Sequence, residues 1–483
     1  MGSDERRAPH GRAHLFAAAF ASVALLSGVV YGWPSMRRLL VRNAVLAEGC
    51  ARNADGSVAP CAEQELRFGL VYTLGSYANQ FARLPIGIAL DGIGPRRTVL
   101  FSAIAFAGGA FLFGLADNLA ALAVGFALIG AGGAGVQLAV QSTASLFPER
   151  RSFIMALLSG AFQVSSVLYL LAEVSERAFP EAASRVALLC AHAAVALAVA
   201  AAGLLLWPDA PFGVRARTAP PPHANASGVA GARAATPFVV VAAGAGAAPL
   251  AAAPAAEGAP PFALRHARVQ PPSLHGEPFW TQASSREYLL QLCFFSVHML
   301  PAQFTVGTIG VQLEAKGDSS GSHTRAYSAV FAAAALATPF AGHAIDRWGF
   351  PPVMAAINAA LCCCYAVLMV PLLSVQPIAY VLYSVGRVCL WAQFFAYCAA
   401  EFGFAHYGKL AGGGLAFGSF ISLLQYAALA AVLGPLRGDF FAVNAAWCVL
   451  ALSQFAAVYA LATRLRTREG AATVAVVASA AKP

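Results

Sequence analysis

GIALDGIGPRR (residues 87–97) ends one long apolar run, and GHAIDRWGF (342–350) ends another. Each places an Asp, a Gly and at least one Arg where a hydrophobic segment stops, and each follows the second apolar run of its half of the chain. A signature repeated at the same position in two halves marks a duplicated chain with an equivalent turn in each copy. That pattern points to a carrier rather than to an enzyme.

Composition agrees. Of 483 residues, 59% are hydrophobic and only 11% charged, too few charges to keep a domain of this length in solution. A membrane-spanning helix needs about 20 predominantly apolar residues. Twelve runs qualify: 13–34, 66–90, 98–116, 120–147, 152–174, 184–207, 287–312, 325–345, 351–372, 376–400, 411–434 and 441–463. The expected fold is therefore an all-α membrane protein of twelve transmembrane helices in two six-helix bundles, residues 13–207 and 287–463. Tails of 1–12 and 464–483 flank them. Glycine and alanine stretches such as VGFALIGAGGAGV (124–136) allow close approach of helix backbones in lipid. The bundles are joined by a linker, 208–286, rich in Ala, Pro and Gly and expected to be disordered for much of its length. Its segment 235–256 is apolar but interrupted by Pro and Gly, which argues against a thirteenth span. The sequon at Asn225 is expected to stay unmodified on the cytoplasmic side.

Orientation follows from basic residues in short loops. Arg6, Arg7 and Arg12 precede the first run; Arg96 and Arg97 follow the second, and Arg150 and Arg151 the fourth. Arg347 follows the eighth, Lys409 the tenth, and Arg464, Arg466 and Arg468 the twelfth. With an even number of spans these share one side, so both termini are expected in the cytoplasm. The first external segment dissents, carrying Arg37, Arg38, Arg42, Arg52 and Arg67. The net charge of +9 reads as topology, not as nucleic-acid binding. The first run continues into YGWPSM (31–36) without a small-residue cleavage site, as an uncleaved anchor does. Cys50 and Cys61 share an external loop, where a small disulfide is expected. Cys362, Cys363 and Cys364 have no His or acid at metal spacing. With no metal cluster, phosphate loop or nucleophile–base pair, neither a cofactor nor catalysis is expected. GAGGAG (130–135) lies mid-membrane with no strand before it and is not a dinucleotide loop.

Several stretches resemble a known family. The two Asp-Gly-Arg elements are similar to the loop motif of the major facilitator superfamily. SGVVYGWPSM (27–36), CAEQELRFGLVYTLGSYANQFARLPIGIALDGIGPRR (61–97), ASLFPERRSFIMALLSGAFQ (144–163), GRVCLWAQFFAYCAAEFGFAHYGKLAGG (386–413) and SLLQY (422–426) resemble, more narrowly, the solute carrier family 43 amino-acid transporters and their apicomplexan relatives. The resemblance implies movement of amino acids, often neutral ones, without an obligatory ion. It departs at Glu401-Phe402, where the family shows Phe-Pro.

An amino acid presents a carboxylate, best met in low dielectric by an arginine fork. Ionisable residues inside spans are costly and so are functional candidates. Arg387, flanked by Tyr383 and Trp391 at helical spacing, is the expected carboxylate anchor, and it falls where the resembling segment carries an Arg. Polar residues on the expected cavity helices complete the candidate substrate set: Ser27, Tyr31, Gln137, Gln141, Gln163 and Gln425, with Trp391. Gln137 and Gln141, four apart, are expected on one face. Further across the domain interface lie Gln291, His298, Gln303, Gln393 and Tyr397. Arg83 reads as bracing a closed gate or snorkelling to the interface. Gly87, Asp91, Gly94, Arg96, Arg97, Asp346 and Arg347 are expected to gate: the glycines by close backbone passage and turning, the charges by pairing across the halves when the cytoplasmic side is closed.

The first and fourth runs hold no acid, and His192 and His298 stand alone, so facilitated diffusion by rocking of the two bundles is expected. The expected partners are a small-molecule substrate, an amino acid, and the lipid bilayer, with no nucleic acid and no obligatory protein partner; the plasma membrane is the expected location. A carrier of another small organic anion such as a monocarboxylate, which could be proton-coupled, and a non-transporting nutrient receptor remain open alternatives.

Overall fold

The computed structural model describes residues 11–51, 59–147, 151–179, 184–209, 274–403 and 406–480, and every regular element among them is helical. The expected linker falls outside the described residues from 210 to 273, with the sequon at Asn225; so do Arg6, Arg7, Arg52 and Arg150.

The first half contains α1 (Arg12–Leu26), α2 (Trp33–Arg42), α3 (Ala62–Phe81), α4 (Arg83–Leu115), α5 (Leu119–Val140), α6 (Arg151–Val164), α7 (Val167–Ala178) and α8 (Arg185–Leu206). The second contains α9 (Phe279–Ala283), α10 (Arg286–Ala315), α11 (Ser322–Ala333), α12 (Thr338–Trp348), α13 (Phe350–Met369), α14 (Gln376–Phe402), α15 (Tyr407–Ser422), α16 (Leu424–Leu433) and α17 (Phe441–Ala480). The short α9 lies within the expected linker. The helix begun at Phe441 does not stop at 463 but runs on through most of the expected tail.

Eleven stretches among the described residues are long and apolar enough to cross a bilayer. The expected span 66–90 falls short on hydropathy. It consists of α3 and the start of α4, whose Gln64, Glu65, Asn79, Gln80 and Arg83 are buried against protein rather than lipid. Its polarity belongs to the interior of the bundle.

The repeated element builds the same turn twice. In the first copy Gly94 has φ 77° and ψ 170° and interrupts α4 just before Pro95. In the second, Gly349 has φ 83° and ψ 176° between α12 and α13. Both lie in the positive-φ region that glycine enters without steric cost. The duplication read from the sequence is thus also a duplication of backbone geometry.

Several spans break at mid-depth. A 3-10 turn at Val29–Gly32 separates α1 from α2, another at Ala334–Ala337 separates α11 from α12, and single-residue breaks separate α3 from α4 and α15 from α16. Such breaks leave helix ends and polar backbone inside the bundle, where only protein can satisfy them.

Within the first half α4 packs on α5 and α8, and α3 on α5; within the second, α13 packs on α14 and α17, and α10 on α15 and α17. The halves meet where α15 lies against α3 and α4, α10 against α2, and α11 against α6 and α7. Small residues set the spacing. A Cβ at Gly130 would fall 2.3 Å from the Gly75 carbonyl oxygen, and Asn79 Nδ2 donates to the Gly130 carbonyl at 2.9 Å across the same contact.

Gly130→Ala should therefore overpack the α3–α5 contact and cost about 1–3 kcal/mol, read as a melting temperature several degrees lower in detergent. Gly108→Ala, where an added Cβ meets nothing within 4 Å, should leave melting unchanged or slightly raised.

Candidate functional site

The middle of the bundle is organised around Arg387. Its side chain is only 3% exposed. The guanidinium carbon lies 4.4 Å from the ring centre of Tyr31, 4.5 Å from Trp391 and 5.2 Å from Phe331. Its Nη1 donates to Gln163 Oε1 at 3.4 Å, while Gln163 Nε2 donates to the Phe331 carbonyl at 2.9 Å. Tyr31 and Gln163 come from the first half, Phe331 and Trp391 from the second. Tyr383 turns away, its hydroxyl donating to the Ala302 carbonyl.

Arg387 Nε and Nη2 are buried and have no hydrogen-bond partner. Together they form one edge of the guanidinium, two parallel donors spaced as a carboxylate's oxygens are. A buried donor left unpaired is costly, and the edge matches a pair of acceptors in geometry.

Around Tyr31 runs a polar network that also crosses the halves. Its hydroxyl donates to Asn79 Oδ1 at 3.3 Å and accepts from Gln80 Nε2 at 2.6 Å and Gln303 Nε2 at 3.4 Å. Tyr72 donates to Gln303 Oε1 at 3.3 Å, and Gln425 Nε2 donates to Ser76 Oγ at 3.3 Å. The Ser27 carbonyl accepts from Asn79 Nδ2, while Ser27 Oγ is buried without a partner.

Two expectations for the first half change. Gln137 Oε1 accepts from Arg83 Nη2 at 2.8 Å, but Gln141 begins the 3-10 turn Gln141–Leu146 and joins no hydrogen bond of the site. Its amide N–H still bonds to the Gln137 carbonyl, so it keeps helical register with Gln137 at the end of α5. Arg83 neither snorkels nor braces the other half: it is 8% exposed, and its guanidinium lies 5.3 Å from the Phe162 ring. Of the other polar candidates, Gln291 and Gln393 exchange hydrogen bonds with each other, and His298 packs edge-on against Phe294.

The sequence reading missed Asn79, Gln80, Tyr72, Phe162 and Phe331. Polarity in an otherwise apolar run was the available signal for the first two. Nothing in the sequence distinguishes the two phenylalanines from lipid-facing ones.

The two ends of the molecule differ. At the end holding Cys50 and Cys61, which are joined as a disulfide, an ion cluster ties the halves together. Arg37, 2% exposed, grips Glu65 through Nε at 2.8 Å and through Nη2, and Glu314 at 2.8 and 2.7 Å. Arg38 pairs with Glu173 at 3.1 Å and Glu314 at 3.5 Å, and Arg325 with Glu173 at 3.5 Å. Arg42 pairs with Glu176 and Arg67 with Glu63. Of the arginines that dissent from the topology count, Arg37, Arg38, Arg42 and Arg67 are thus paired with acids. Near them Asp318 caps α11: burial raises its carboxyl pKa, but the Thr324 and His323 amides, the Thr324 hydroxyl and nearby Arg38 outweigh that and hold it below the usual value.

At the repeated-element end the expected cross-half pairs are not made. Arg96 donates to the Trp207 carbonyl at 2.7 Å and to Asp209 at 3.3 Å, both in its own half. Asp346 and Arg347 are exposed, and among the described residues neither they nor Arg97 form an ion pair. A Cβ at Gly87 would meet nothing within 4 Å, so no backbone passes closely there; Gly94 does serve as a turn. The Asp91 side chain lies outside the described residues. In the second half Glu287 and Glu401 pair with Arg464 and Arg468, again without crossing. Among the described residues, ion pairs cross the halves at the disulfide end and none crosses at the other.

Glu314→Gln should weaken the latch, since it removes the partner from the second half that Arg37 and Arg38 share and leaves the buried Arg37 with Glu65 alone. Spin labels at Ala51 and Ser319, on a background freed of unpaired cysteines, should then report longer distances; an unchanged distribution would remove the cluster from the gate.

The sequence matches the family model of the Major Facilitator Superfamily over residues 43–426. It is 23% identical to the equilibrative nucleobase transporter 1 of Bos taurus over 469 residues, covering 89% of this chain and 91% of that one. It is 26% identical to the human large neutral amino acids transporter small subunit 3 over 156 residues, covering 30% and 28%. Among solved structures, that of the POT family transporter PepTSo superposes with a TM-score of 0.62 at 14% identity, covering 95% of this chain and 99% of that one. An all-helical duplicated fold, a central site shared by both halves and a family match over most of its length make this chain a member of the major facilitator superfamily, a multi-pass membrane transporter.

Proposed function

We propose that the protein moves amino acids by facilitated diffusion, with Arg387 receiving the carboxylate. The observation that carries this reading is the unpartnered Nε–Nη2 edge of Arg387, buried between the halves beside Tyr31 and Trp391. Acceptors for an ammonium stand nearby: Ser27 Oγ and Gln80 Oε1 are buried without partners and belong to the network on the Tyr31 hydroxyl. Trp391, Gln163, Gln425 and Gln137 complete the lining.

The basic residues of the other short loops support cytoplasmic termini, against the arginines of the first external segment. In a plasma membrane the disulfide end then faces the oxidising exterior, and the latched end is the outer one. When the molecule rocks, Asp91, Arg96, Arg97, Asp346 and Arg347 become free to pair across the halves while the outer cluster opens. No carboxylate pairs with Arg387 among the described residues, which supports transport without a titrating partner.

The bovine relative favours a second reading, a nucleobase carrier, because purines offer an acceptor edge to an arginine and a flat face to Tyr31 and Trp391. Uptake of radiolabelled amino acids, nucleobases and lactate into oocytes, at two external pH values, separates the readings. The expected result is saturable, pH-insensitive uptake of amino acids, reduced about 10- to 100-fold in Arg387→Gln, the worth of a buried charge-assisted pair. Uptake confined to nucleobases establishes the second reading. Steep stimulation by acid replaces facilitated diffusion with proton coupling.

A further inference from the structure

We infer that Arg83 is a second anion-recognition residue of the central site and that it selects cargoes bearing two acidic groups. The inference rests on Arg387 as the carboxylate anchor and goes beyond it.

The two arginines are built alike. Each is buried, each is held by the amide oxygen of one glutamine of the first half (Gln163 for Arg387, Gln137 for Arg83), and each keeps an unpartnered buried Nε. They are also connected. Arg83 lies against the Phe162 ring, Phe162 lies 5.7 Å from Tyr31, and Tyr31 lies against Arg387. Three successive ring contacts, of 5.3, 5.7 and 4.4 Å, link the two guanidiniums.

Neither charge is compensated. Five glutamates of the helices are engaged at the ends of the molecule: Glu65 and Glu314 with Arg37, Glu173 with Arg38, and Glu287 and Glu401 with Arg468. Among the described residues none pairs with Arg83 or Arg387, and the groups that meet them are neutral amides and rings. A buried cation without a counter-ion is strongly disfavoured. A zwitterion with a neutral side chain, which the sequence resemblance implies, satisfies one guanidinium and adds an ammonium. A cargo with a second carboxylate satisfies both.

The test compares matched ligands by calorimetric titration of the purified full-length protein in detergent: aspartate against alanine, and succinate against propionate. In the wild type the dicarboxylate of each pair should bind about 10- to 100-fold more tightly. Arg83→Gln should remove that advantage and leave alanine and propionate binding unchanged, which also shows that the variant is folded; Arg83→Lys should restore part of it. Arg387→Gln should abolish binding of all four. Equal affinities within each pair in the wild type, or an advantage that survives Arg83→Gln, overturns the role of Arg83. Loss of alanine and propionate binding in Arg83→Gln also overturns it, by making Arg83 part of the primary anchor. Binding of none of the four by the wild type, or binding that survives in Arg387→Gln, overturns the carboxylate reading itself.

Discussion

A guanidinium buried in a helical bundle, under aromatic rings and without a carboxylate, is an unstable thing to build, and the rest of this molecule accommodates it. Removing the charge of Arg387 from water is unfavourable by several kcal/mol. Faces of Tyr31, Trp391 and Phe331 offset part of that through their quadrupoles. Gln163 supplies one acceptor. Nε and Nη2 are left without an acceptor, and on the proposed reading that edge is where an anionic or acceptor-rich cargo binds.

The same incompleteness explains why the site lies between the halves. Two of its rings move with one half and two contacts with the other, so rocking changes the enclosure of Arg387 without changing its chemistry. The breaks in α1–α2, α3–α4 and α11–α12 fall close to this depth. They aim Tyr31, Arg83 and Phe331 inward from helices that, if continuous, would present other residues. The polarity of α3 belongs to this arrangement: its amides hold the Tyr31 hydroxyl and the Gly130 carbonyl, which links the site to the packing of the first half.

Charge is distributed unequally between centre and ends. At the disulfide end each arginine that crosses the halves meets a carboxylate, and the pairs form a latch whose strength depends on burial. At the other end Arg96, Arg464 and Arg468 are satisfied within their own half. Ion pairs therefore join the halves at one end only, while no acid pairs with the arginine at the centre among the described residues.

The sequence by itself determined the architecture, because hydropathy, the positions of basic loops and the duplicated GIALDGIGPRR and GHAIDRWGF elements are local properties. The turns at Gly94 and Gly349 need only a residue free to take positive φ, and that is written in the letters. It also singled out Arg387, since an arginine in a span is conspicuous wherever it lies. What only the tertiary structure decided is who meets whom. That Arg37 grips Glu314, that Gln137 holds Arg83, and that Arg96 stays in its own half depend on which helices come together. Arg83 belongs to the same class. Its distance along the helix from Asp91 suggests an interfacial residue, yet the break before α4 and the approach of Phe162 and Gln137 put its charge beside the cargo site. Contacts between residues far apart in sequence are set by packing, and packing is not a local property of the chain.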